Sequence, residues 1–151
     1  MITDALLAYF HFVSIFMLFA FLSIEAVVLR HPPDAAAIRL LARVDMFYFG
    51  AAMLVLASGL MRLFGGAKGA AFYTGNPVFH AKVGLFILIG ALSVLPTLQF
   101  IRWARTLKAQ PDFLPGETER KKARRMIMIE LHLAAFLPLL AVLMSRGIGI
   151  K

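Results

Sequence analysis

Long apolar stretches carry His11, Glu25, Asp45, His80, Lys82, Glu130 and His132 inside them or at an edge. In a bilayer such groups face protein, line a cavity, or snorkel to the headgroups. Setting the stretches antiparallel sorts them into two levels, His11, His80 and Lys82 at one, Glu25, Asp45, Glu130 and His132 at the other. Two imidazoles from different helices at similar depth are the axial ligands a b-type haem needs, since the macrocycle slots between helices of a bundle. His11 is then one ligand. His80 and Lys82 are two residues apart, about 200° around a helix, so only one of them can be the other ligand. The plain alternatives are histidines bonded to backbone carbonyls or hydroxyls, and a Lys82 that snorkels.

At the second level, carboxylates beside an imidazole suit Fe, Mn or Zn, or a proton path. Glu130 is the residue assigned to proton movement. The paired Glu-x-x-His pattern of di-iron bundles is missing, and Glu130 and His132 cannot both point at one axis. For Glu25 the alternative is an interfacial carboxylate near Arg30. His31 belongs to a connection. There is no phosphate loop, nucleophile elbow or zincin helix. The absence of cysteine excludes disulfides, thiolate haem ligands and Cys-type zinc sites.

The elements that must position these groups are helices. With 61% hydrophobic residues among 151 and a mean hydropathy of +0.83, the chain is too apolar for a soluble domain of this length. Residues 76–102 read as a span opened by an Asn76 N-cap and Pro77 at the first helical position. Residues 5–29, 46–64 and 126–144 supply three more, each near the ~20 residues needed to cross hydrocarbon. The first lacks the basic start and the cleavage pattern of a signal peptide and is read as retained. On it, His11, Ser14, Leu18 and Glu25 share one seam. Pro32 and Pro33 end that helix, and Asp34 caps a short connector helix, 35–44. Span two, from about Asp45, carries the small residues Gly50, Ala51, Ala52, Ala57, Ser58 and Gly59, suited to close packing. Residues 65–75 form an external loop, 117–125 a charged turn, and Pro138 should kink span four. The fold expected is all-α, one four-transmembrane-helix domain over 1–151.

The net charge of +8 follows topology. Arg30, Arg39, Arg43, Arg102, Arg105, Lys108, Arg120, Lys121, Lys122, Arg124 and Arg125, eleven of the sixteen Lys and Arg, flank or fill the first and third connections. Arg62, Lys68, Lys82, Arg146 and Lys151 make up the rest. The positive-inside rule puts those connections in the cytoplasm and both termini on the outer, periplasmic side. Nucleic acid is not an expected partner.

The HAK of His80 to Lys82 opening span three, His11 in span one with His31 just past its end, and Glu130 opening span four resemble a known pattern. The chain is similar to an uncharacterised bacterial inner-membrane family of small four-helix proteins, and more distantly to the HemJ-type protoporphyrinogen oxidases. That resemblance implies haem b in the membrane, His11 and Lys82 as important residues, His80 and Glu130 as further matches, and porphyrinogen oxidation with electrons passed to the respiratory chain. The tryptophan and Pro-Arg pair of HemJ-type span one are replaced here by apolar residues and the Glu25 region. The expectation is therefore a multi-pass inner-membrane haem b redox protein, with quinone or porphyrin as partner and a homo-oligomer or larger complex as its setting. A HemJ-like oxidoreductase activity is one form of this. The alternative is a non-catalytic accessory or assembly subunit of a larger membrane complex.

Overall fold

Four long helices form an up-and-down bundle in the computed structural model, which describes residues 2–66 and 69–149. Lys68 and Lys151 lie outside the described residues. The helices are α1 (Ile2–Val28), α2 (Ala35–Gly65), the short α3 (Ala70–Thr74), α4 (Pro77–Ala109) and α5 (Glu117–Ser145). All but α3 are long and apolar enough to cross a membrane.

Local chemistry sets the boundaries. Asp34 caps α2 by accepting from the Ala37 amide at 2.7 Å, and Asn76 caps α4 by accepting from the Val78 amide at 2.8 Å, with Pro77 as first residue. Two expected breaks are corrected. The connector 35–44 and span two are one continuous helix, because no glycine or proline interrupts the sequence until Gly50. The charged turn 117–125 is likewise the first part of α5. Pro96 and Pro138 lie within helices that continue beyond them.

Around the bundle α1 packs on α2 and α5, and α4 packs on α2 and α5, so α1 and α4 stand diagonally opposite. Because hydrocarbon tails are as apolar as leucine, association rests on packing and on hydrogen bonds between helices. The larger packed cluster includes Leu22, Leu29, Ile38, Leu41, Phe100, Trp103 and Ile127. A smaller one joins Ile89, Ala134 and Leu137. Phe16, Phe49, Ile87, Leu98 and Leu139 are exposed outward, as lipid-facing residues should be. The small-residue stripe of α2 works at Ala51 and Ser58, which are buried, while Gly50 and Ala57 face outward.

Each end of the bundle is fastened. At the basic end Arg120 Nη1 donates to the Leu29 and Arg30 carbonyls, at 2.9 and 3.0 Å, satisfying the close of α1. There too Trp103 Nε1 donates to Glu119 Oε2 at 3.2 Å, and Arg102 reaches Glu119 Oε1 at 3.0 Å. At the end carrying the termini, Asn76 Nδ2 donates to the Ile148 carbonyl at 3.3 Å. Gly149 lies so close to Asn76, at φ +96°, that a Cβ there would come within 2.7 Å of Asn76 Oδ1.

Candidate functional site

Three carboxyl groups from three helices are buried toward the basic end. Glu25 on α1 and Glu130 on α5 are fully buried, and Asp45 on α2 is 6% exposed. Glu25 interacts electrostatically with both of the others. None forms an ion pair among the described residues. Asp45 Oδ1 accepts from the Thr97 hydroxyl of α4 at 2.8 Å, so all four long helices contribute here. Glu130 Oε2 accepts from the Tyr48 hydroxyl at 3.3 Å. Both oxygens of Glu25 and Oε1 of Glu130 have no hydrogen-bond partner. A buried charge without a partner is costly, so these oxygens call for a proton, a water or another ligand.

Interhelical hydrogen bonds fix the register. His11 paired with Ser58 across α1 and α2 sets Glu25 level with Val44 and Asp45. Asp45 paired with Thr97 across α2 and α4 sets Tyr48 level with Val94, and Lys82 level with Gly59 and Leu60. The polar groups therefore climb in steps, from Glu25 and Asp45 to Glu130, Tyr48 and Ser93. About ten residues of α2, or ~15 Å, separate Tyr48 from Ser58 at the second level.

At that second level His11 is buried, with Nδ1 2.9 Å from Ser58 Oγ. The Ser58 hydroxyl donates to the Leu54 carbonyl at 2.6 Å, which leaves Ser58 Oγ to accept from His11 Nδ1–H. In the neutral ring Nε2 then carries the free lone pair. Gly59 leaves room beside the ring, since a Cβ there would stand 3.4 Å from His11 Cε1. Lys82 and Arg62 both interact electrostatically with His11, and the Arg62 guanidinium lies 5.8 Å from the centre of the Phe12 ring.

The structure does not bring His80 to His11. His80 is exposed, its Nε2 2.9 Å from the Thr74 carbonyl. His132 is exposed as well, its Nδ1 2.6 Å from the Met128 carbonyl, so Glu130 is the one of that pair that points inward. No group of three or more His, Asp or Glu is arranged to hold a metal ion among the described residues.

Between the levels lies a cavity of about 160 Å³ lined by residues that include Leu18, Tyr48, Ala52, Phe86, Ile89 and Ser93. Its lining is almost wholly apolar, Tyr48 and Ser93 being the lining residues with a polar side chain, and it is too small for a tetrapyrrole. Ser93 Oγ donates to the Gly90 carbonyl at 2.8 Å, and its side chain approaches the Tyr48 hydroxyl.

Tyr48, Ser58, Ser93, Thr97 and Arg62 belong to this arrangement and were not singled out as site residues from sequence. Spacing held a signal for two of them, since Tyr48, Ala51, Val55 and Ser58 follow the three- and four-residue steps of one inward face. For Thr97 and Ser93 there was none, because a hydroxyl in an apolar helix commonly bonds its own preceding turn.

Among protein families, the one described as "Predicted membrane protein (DUF2214)" matches residues 3–149. No curated protein matches the chain, and no solved structure does.

Proposed function

The chain belongs to the DUF2214 family of predicted membrane proteins, and on that premise we propose that it handles protons within the bilayer. Asp45, Glu25, Glu130 and Tyr48 form a relay from the basic end to the middle of the bundle. The observation that carries this reading is Glu25, fully buried, with both carboxyl oxygens unpartnered and within electrostatic range of two further carboxyls from other helices. An intramembrane carboxyl weakens a bundle unless it is paired, and is read as functional by default. Protons enter at Asp45, pass between Glu25 and Glu130, and reach the cavity wall through the Tyr48 hydroxyl. By the positive-inside rule the basic end faces the cytoplasm of a bacterial inner membrane, with both termini periplasmic.

Infrared spectra of the protein in lipid test the relay. Carboxyl C=O bands should respond to bulk pH and to D2O, and should be lost one at a time in Glu25→Gln and Glu130→Gln. Bands indifferent to both, marking carboxyls sealed from bulk water, refute it.

A second reading keeps haem b at the other level, where His11, through Nε2, and Lys82 would be the residues to hold it. The bond from His11 Nδ1–H to Ser58 favours it, since an oriented ring with one bare nitrogen is how a ligating histidine is held. Haem would add one-electron chemistry to the proton relay. Protein purified from haem-replete cells should then show a Soret band that His11→Ala removes, and a colourless preparation ends this reading.

A further inference from the structure

A relay that stops at a cavity wall needs a recipient there, and the cavity describes one. Its volume of about 160 Å³ is close to that of the ~150 Å³ apolar cavity that binds a single benzene ring in an engineered core. One six-membered ring fits. Leu18, Ala52, Phe86, Ile89, Ala134 and Leu137 give it an apolar lining. Tyr48 and Ser93 are the lining residues with polar side chains, and their hydroxyls lie near one another. Phe49, Met53 and Gly90 also line the cavity and are exposed on the outer faces of α2 and α4. The cavity therefore opens between these helices toward the acyl chains, and Gly90 leaves space with no heavy atom within 4 Å of where a Cβ would stand.

We propose that this cavity binds a lipid-dissolved, single-ring carbonyl compound of the quinone class, with the ring among the apolar residues and its carbonyl on the Tyr48 hydroxyl. The alkyl tail leaves between α2 and α4. When the ligand carbonyl takes the Tyr48 hydrogen bond, Glu130 can donate to the phenol oxygen from its other side, since the two groups already lie 3.3 Å apart. A bare lipid chain would use the apolar walls and leave Tyr48 bonded to Glu130 and Ser93 to the Gly90 carbonyl. The inference rests on the proton-relay reading for its purpose but not for its site.

The test is equilibrium binding of decyl-benzoquinone to the intact protein in nanodiscs, with decylbenzene as the control lacking carbonyls. Saturable one-to-one binding of the quinone is expected. Ala52→Phe should abolish it, and Tyr48→Phe should weaken it about three- to tenfold, the loss of one hydrogen bond. If Ala52→Phe does not fold, Ala134→Leu, at a fully buried lining position on α5, fills the cavity from another wall and carries the same expectation. Equal binding of decylbenzene overturns the carbonyl recognition and makes the cavity an acyl-chain crevice. Absent saturable binding, or binding unchanged in the filled variants, overturns the site. The infrared response of Glu25 and Glu130 is read without ligand, so either proposal can fail alone.

Discussion

Replacing Glu25 by methionine should make the protein more stable while removing its proposed role. Glu25 is fully buried and neither carboxyl oxygen has a partner, so the fold carries the desolvation cost of a polar group with no bond to another protein group in return. That cost is about 1–3 kcal/mol in mutational data. Methionine has a similar length and adapts to an irregular space, so little new strain offsets the gain. The net expectation is a stabilisation of about 1–3 kcal/mol. Glu25→Gln keeps a polar group in the same place and should stay within about 0.5 kcal/mol of the parent, as an isosteric change at an unbonded site. Trp103 is the single tryptophan and is buried at the basic end, so its fluorescence reports unfolding in detergent. At about 2–4 °C per kcal/mol for a chain of this size, Glu25→Met should melt several degrees higher. A variant that melts lower by a comparable margin would mean that Glu25 holds a structural water or ion, and the unpartnered carboxyl would lose its meaning.

Arg120→Met should destabilise by about 2–3 kcal/mol, through two lost bonds to the Leu29 and Arg30 carbonyls and one lost charge at a helix C-terminus; the same melts measure it. Asp45→Asn retains an acceptor for Thr97 and should melt near the parent, whereas Asp45→Leu strands the Thr97 hydroxyl and should cost about 1 kcal/mol. Gly59→Ala places a methyl at ordinary van der Waals distance from His11 and should be tolerated, but Gly59→Leu must displace the ring. The histidine NMR signals should move in the second variant only.

Much of the architecture was legible in the chain. The caps at Asp34 and Asn76 have local causes, and the seam His11, Ser14, Leu18, Glu25 is buried throughout, as helical spacing requires. The fused helix 35–65 was harder, because charge at Asp45 resembles an interfacial boundary until its burial against Thr97 is known. At the candidate site, periodicity cannot say which way His80 turns, and the backbone carbonyl of Thr74 at the end of α3 holds it at the surface. Nor can it reveal that Glu25 lies fully buried within electrostatic range of two other carboxyls, since that depends on the register of three helices. Tyr48 was hidden for the same reason, as an aromatic in an apolar run is indistinguishable from packing until its hydroxyl meets Glu130.

The pairing of α1 with α2 and of α4 with α5 has a consequence for biosynthesis. A ribosome delivers the first hairpin well before the second, and in that interval Asp45 lacks Thr97 and Tyr48 lacks Glu130. An aspartate facing lipid carries an insertion cost that reaches about 2.5–3.5 kcal/mol at a helix centre and is smaller toward the ends, so the early hairpin is weakened until its partners arrive. Arrival of the second half supplies Thr97 to Asp45 and Glu130 to Tyr48, so these buried polar groups are satisfied only when the two halves dock.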